Sequence, residues 1–267
     1  MTPRDSPGPA RLAFLHFRIG ALNEMQYRAN FFIQMVNSMI ALGTALVAIA
    51  LVYGHTNDLG GWTQPELLAV MGVHILVGGL VRTFVQPNMN RLMEDVAQGT
   101  LDYALTRPAD SQLLVSVREI SIWQLTDVIV GTVVVVWSVV TVSGRVGIYA
   151  TLGFVVAITC GAIIIYSIWL IATTSAFKVV RIDNLVQLLN GIYEAGRWPV
   201  TVYPGWLRGT LTFVIPLAFA VTVPAEVISN RIGVIEIGWA LLVTVVFVTV
   251  ARLVWLWGIK NYTGASA

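Results

Sequence analysis

The chain has 267 residues, of which 57% are hydrophobic and only 11% charged, with a formal net charge of +2. Soluble domains carry about 25% charged residues, so the composition excludes a soluble fold, and a weak, scattered positive charge excludes a nucleic-acid partner. A single cysteine, Cys160, excludes an internal disulfide and a thiolate metal cage.

Met1 to Pro9 is rich in proline and reads as a loose tail. From Ala10 to Ala29, Leu12, Leu15, Ile19 and Leu22 recur at helical spacing, with Arg11, Arg18 and Arg28 elsewhere on the wheel. This pattern predicts an amphipathic helix lying on the bilayer surface, or packed on a neighbouring subunit. The polar stretch is too long for a cleavable signal peptide, and none is expected.

Five apolar runs follow, at about 31–53, 65–85, 120–142, 147–173 and 235–257. Roughly 20 apolar residues in a helix cross a hydrocarbon core ~30 Å thick, so each run predicts a span. A less apolar segment, 183–198, becomes the sixth if protein covers its polar groups. Pro87 predicts a break after the second span, and the short SGRVG turn predicts that spans three and four form a tight antiparallel pair. Pro199, Pro204, Pro216 and Pro224 forbid one straight span across 199–230. That region predicts two short helices dipping into the outer leaflet, with Trp198, Tyr203 and Trp206 at the interface; an ordinary kinked span is the alternative. Trp62, Trp255 and Trp257 also read as interfacial anchors. With the N-terminus inside, Lys and Arg cluster on the inner connections, including Arg91, Arg107, Arg118, Lys178, Arg181 and Lys260. The outer connections hold Arg145, Arg197, Arg208 and Arg231, so both termini are expected in the cytoplasm.

The inner loop, 88–118, carries the clearest local pattern. Met89, Leu92, Met93 and Val96 share one helical face, and Arg91, Glu94, Asp95 and Gln98 the other. Gly99 sits where a helix-ending glycine belongs. A short charged helix at the surface suits docking to a soluble partner, and equally suits a solvated loop.

Inside the spans, charge costs a few kcal/mol, so His74, Asp127, Glu194 and Arg197 must face protein or water. They are candidate pathway-lining residues, with Asp127 and Glu194 attractive to a cationic amphiphile; internal pairing such as Glu194 with Arg197 is the plainer reading. His16, His55 and His74 lack metal spacing. No metal or cofactor site and no catalytic constellation is expected.

The string GTLDYALTRPADSQLL resembles the Gly-Thr-Leu-acidic-x-x-Leu-x-x-Pro stretch of type-2 ATP-binding-cassette (ABC-2) exporter permeases. GRWPVTVYPGWLRGTLTFVIPLAFAVTVPAEVI is similar to that family's re-entrant region, and WGIKNYTGASA to the chain ends of a bacterial branch often encoded as paired permeases. The resemblance implies an all-α membrane fold of six spans, with an N-terminal interfacial connecting helix, a cytoplasmic coupling helix and an extracellular re-entrant hairpin. It implies a permease subunit of the bacterial plasma membrane that forms half of a pathway for hydrophobic or amphipathic small molecules or lipids. A second permease chain, identical or related, and a cytoplasmic ATPase subunit that binds ATP and Mg would complete the exporter. Arg91, Glu94, Asp95, Gly99 and Asp102 would then meet the ATPase. No G-x-x-x-x-G-K-[ST] phosphate loop occurs here, so ATP hydrolysis is expected on the partner. A non-transporting membrane anchor or sensor, or an ion-coupled transporter using His74 and Asp127, are the rival readings.

Overall fold

The computed structural model describes residues 28–106, 110–142, 147–175 and 182–262 and is all-helical. The interfacial helix predicted over 10–29 lies almost wholly outside the described residues, as do Arg107, Arg145, Lys178 and Arg181. We label the helices α1 (Arg28–Tyr53), α2 (Gln64–Leu80), α3 (Gln86–Ala97), α4 (Asp102–Leu105), α5 (Ser111–Ser116), α6 (Leu125–Val142), α7 (Ile148–Ser175), α8 (Ile182–Glu194), α9 (Gly205–Gly209), α10 (Val223–Ile228) and α11 (Val234–Lys260). Among the described residues five helical stretches are long and apolar enough to cross a membrane, and the protein is a multi-pass membrane protein.

The second crossing does not break at Pro87. The helix runs unbroken over Gln64–Ala97, 34 residues, or about 50 Å. Pro87 has no N–H, so the carbonyl of Thr83, four residues earlier, would be left without its helical donor. A wide turn over Val81–Val85 absorbs the misfit. The backbone N–H of Ser121 then donates to the Thr83 carbonyl at 3.1 Å. Asn88 completes the repair. Its amide donates to the Phe84 and Glu119 carbonyls, both at 2.7 Å, and its carbonyl accepts from the N–H groups of Arg118 (2.7 Å) and Glu119 (2.9 Å). At its far end α3 closes in a left-handed turn, with Gly99 at φ +69°. The Thr100 N–H reaches the Asp95 carbonyl at 2.8 Å and the Gly99 N–H that of Val96 at 3.2 Å, the paired bonds of a Schellman ending.

Spans three and four are not partners. α6 packs along α2, and α7 along α11. The reason lies in glycines that the SGRVG turn does not outweigh. Gly72 and Gly79 stand one above the other on α2, where Gly72 meets Gly131 of α6 and Gly79 meets Asp127 and Val128. A Cβ on Gly79 would lie 2.7 Å from the Val128 nitrogen, one on Gly72 2.9 Å from the Val135 nitrogen, and one on Gly131 would overlap Leu76. Small residues let membrane helices approach until their backbones touch, where dispersion is strongest.

The segment expected as the sixth crossing is broken into short helical pieces. α8 has 13 residues and spans about 20 Å, too short for the hydrocarbon core alone. It packs on α3 at one end and reaches the middle of α2 at the other, where the Tyr193 hydroxyl donates to the His74 carbonyl at 2.7 Å. Tight turns at Ala195–Arg197 and Val200–Val202 then carry the chain to Thr201, whose hydroxyl accepts from the Trp62 indole at 2.8 Å. The following helical pieces, Gly205–Val214 and Ala218–Ile228, meet at 78° around Pro216. The hairpin leaves from Trp62 and returns to it. Arg231 stacks 4.3 Å over the Trp62 ring and bonds the Gly61 carbonyl (2.8 Å) and Glu66 (3.0 Å). Trp62 and Trp255 are fully buried, not interfacial as their positions near span ends suggested. Each finds a protein partner for its indole N–H, Trp255 with the Ser111 hydroxyl at 3.3 Å. Trp206 and Trp257 remain exposed.

Replacing Gly131 with Ala is expected to destabilise the bundle by about 1–3 kcal/mol through overpacking. Gly43→Ala, where an added Cβ meets nothing within 4 Å, should leave it unchanged. Thermal unfolding of both variants in the same detergent checks this.

Candidate functional site

The structure brings His74, Asp127, Glu194 and Arg197 to one cavity of about 300 Å³ between α1, α2, α6 and α8. None of the charged groups stands alone. Asp127 is buried and accepts from Arg82 Nη2 (2.7 Å) and Nε (3.1 Å), from Gln34 (3.4 Å) and from the Ser38 hydroxyl. Glu194 and Arg197, one helical turn apart, pair at 2.5 Å. His74 stacks on Tyr193 with ring centroids 4.6 Å apart and its Nε2 4.0 Å from Glu194. These pairings follow from the cost of unpaired charge at membrane depth. They remove Asp127 as a free attractor for a cation.

Arg82 is the residue that sequence reading overlooked. It lies near the end of the second apolar run, with Asp127 two turns into the third, so two opposite charges sit at matching depth in antiparallel helices. Its guanidinium folds back along α2 over Gly78, where an added Cβ would lie 3.2 Å from Arg82 Nη2 and 3.1 Å from the Tyr193 ring. Gln34 and Ser38, polar groups in the apolar run 31–53, were equally visible and gain meaning only from Asp127 opposite them.

A second polar cavity, about 410 Å³, lies beside the first toward α3 and shares Arg82 and Gln124 with it. Asn90, Arg91, Glu94 and Glu119 line it. Burial pushes the Glu119 carboxyl above its ordinary range, the Arg91 guanidinium opposing. Of the five residues expected at a partner contact, Glu94 is exposed and Arg91 and Asp102 half-buried. Asp95 is 1% exposed, not on the open face of α3. It bonds Arg118, Arg91 Nε at 3.2 Å and the Thr100 hydroxyl at 3.1 Å, because the Gly99 turn folds the following segment over it. Asp95 therefore shapes the surface without presenting its side chain on it, while Gly99 is half-buried. Among the described residues, no three His, Cys, Asp or Glu side chains are grouped to hold a metal.

The loop after α3 is tied to the bundle by Asp110. Its carboxylate caps α5 at the Leu113 N–H (3.0 Å) and takes two bonds from Arg252 of α11, at 2.6 and 3.1 Å. The Arg252 guanidinium holds the Asp110 carboxyl below its ordinary range.

A family profile described as ABC-2 family transporter protein matches residues 39–266. The chain belongs to the ABC-2 transporter family. The match takes in every described helix except the first turns of α1. No curated protein and no solved structure is significantly similar to the chain. As an ABC-2 protein it is a membrane subunit of a transporter; the second cavity lies wholly within the matched residues, and the first does so except for Gln34, Asn37 and Ser38.

Two outcomes follow. Asp127→Asn is expected to lose about 1–3 kcal/mol, since Arg82 keeps its charge without a counter-ion and is only partly exposed; Arg82→Gln with Asp127→Asn should recover most of it, read by thermal unfolding. A carboxyl whose folded pKa is depressed stabilises above its unfolded value and loses that contribution as pH falls through the folded one. Protection of α5 from hydrogen exchange should therefore fall below the ordinary carboxylate range, near pH 3.8, and the dependence should vanish in Asp110→Asn.

Proposed function

We propose that this ABC-2 subunit is the permease half of an ATP-driven exporter, lying in a bacterial plasma membrane with both termini in the cytoplasm. The observation that carries the reading is the exposed polar stripe of α8. Asn184, Gln187, Asn190 and Glu194 lie on one face of that helix, and all are exposed, while Leu185, Leu189 and Tyr193 on the opposite face are buried. Lipid cannot satisfy such a stripe, so it faces a wet pathway enclosed with a second permease chain. The first cavity opens beside the same face, and the second extends it toward α3.

In this reading α3 is the coupling helix. It continues the helix that carries His74 and Arg82, so a push on α3 tilts one wall of the cavity without an intervening joint. A separate cytoplasmic ATPase binds ATP and Mg and supplies that push. Closure of the ATPase pair switches the pathway between inward-open and outward-open arrangements by rigid-body motion. Amphipathic small molecules or lipids enter from the cytoplasm or inner leaflet.

Glu94, exposed at the tip of α3, is the contact to test. Glu94→Lys should weaken association with the ATPase by roughly tenfold, ~1.4 kcal/mol, with unfolding temperature unchanged. Asp95→Lys should instead lower the unfolding temperature, because it buries a third cation against Arg91 and Arg118. Undiminished co-purification and transport in the Glu94 variant would remove α3 as the docking element.

A further inference from the structure

The accessible charges of the first cavity have a definite arrangement. Asp127 is 5% exposed in its side chain and spent on Arg82, whereas Glu194, Arg197 and Arg82 are 50%, 44% and 35% exposed. Arg82 uses Nε and Nη2 on Asp127, and among the described residues its Nη1 donates to nothing. The cavity thus offers a ligand one carboxylate and two guanidinium groups, Glu194 and Arg197 as an exposed pair already joined at 2.5 Å, while its two cations and two carboxylates balance. Beside them, Ala41, Ala45, Met71 and Ile75 make an apolar wall.

We infer that this cavity is a headgroup site for a zwitterionic amphiphile. Its anionic group meets Arg197 and the free edge of Arg82, its cationic group meets Glu194, and its apolar tail lies along the wall of Ala41, Ala45, Met71 and Ile75. A ligand of net charge would upset a balanced set of charges at membrane depth, where an uncompensated ion is costly. A zwitterion finds a partner for each charge and adds none. Bidentate guanidinium recognition suits a phosphodiester or carboxylate. Gly78 is part of the arrangement, because a larger side chain there would displace Arg82 from beside Tyr193.

This inference rests on the cavity being part of the transport pathway, and the experiment separates the two. The full chain, purified in an uncharged maltoside, is tested for binding of three chain-matched probes by native mass spectrometry. They are a zwitterionic lysophosphatidylcholine, an anionic lysophosphatidylglycerol and a cationic acylcholine. The zwitterion is expected to bind roughly tenfold tighter than either ion. Glu194→Gln should shift preference to the anion and Arg197→Gln to the cation; both side chains are half-exposed, so folding is preserved and is verified by thermal unfolding. Glycerophosphocholine, the headgroup without its tail, should bind far more weakly, and equal binding would overturn the amphiphile assignment in favour of a soluble zwitterion. Equal affinity for all three probes, or a cation-first order unmoved by the variants, would overturn it outright. The same probes are then followed in vesicles containing the chain with its ATPase. ATP-driven movement of the cation in preference to the zwitterion would sink the headgroup assignment and keep the transport reading. Tight zwitterion binding without ATP-driven movement would do the reverse.

Discussion

A proline inside a long helix leaves a carbonyl without its helical donor, and at Pro87 the protein supplies the missing partner from more than 30 residues away in sequence. The carbonyl that Pro87 orphans is capped by Ser121, and Asn88 ties the same turn to Arg118 and Glu119 through four hydrogen bonds. Because Thr83 and Asn88 are buried and an unsatisfied buried polar group is costly, this junction holds the loop after α3 against the start of α6. It thereby sets where Asp127 stands. Arg82, on the wide turn just before Pro87, then meets Asp127 at 2.7 Å.

From this junction one helix leads in two directions. Toward the bundle it carries Arg82, Gly78 and His74, which shape the cavity; away from it runs α3, with Glu94 at the surface and Asp95 turned inward. A helix repaired rather than broken keeps Arg82 and Glu94 on one continuous element. The same reasoning explains the loop beyond Gly99, which is pinned by Asp110 to Arg252 and by Ser111 to Trp255. The surface presented near α3 is shaped by ion pairs, Asp95 buried against Arg118 and Asp110 half-exposed beside Arg252.

The far end of the molecule follows a different logic. There the chain cannot cross as one straight helix, because prolines recur through 199–230. It turns back on Trp62, where a buried indole, Thr201, Arg231 and Glu66 supply the polar partners that lipid lacks. The two tight turns after α8 are tolerated because Val200 and Gly196 are packed within protein.

Much of this was legible in residue order. Apolar run lengths determined the solvent and five of the crossings, since hydrocarbon thickness and helical rise leave little choice. Proline spacing determined that 199–230 could not be one straight span, and the positions of Gly99 and of the Glu194–Arg197 pair followed from local geometry one turn apart. Only the tertiary structure decided the partnership of α6 with α2, the burial of Trp62, Trp255 and Asp95, the repair at Pro87 and the pairing of Arg82 with Asp127. These depend on which backbone comes within a few ångströms of which other, through glycine contacts and donors far away in sequence. Periodicity along one helix carries no record of what stands across from it.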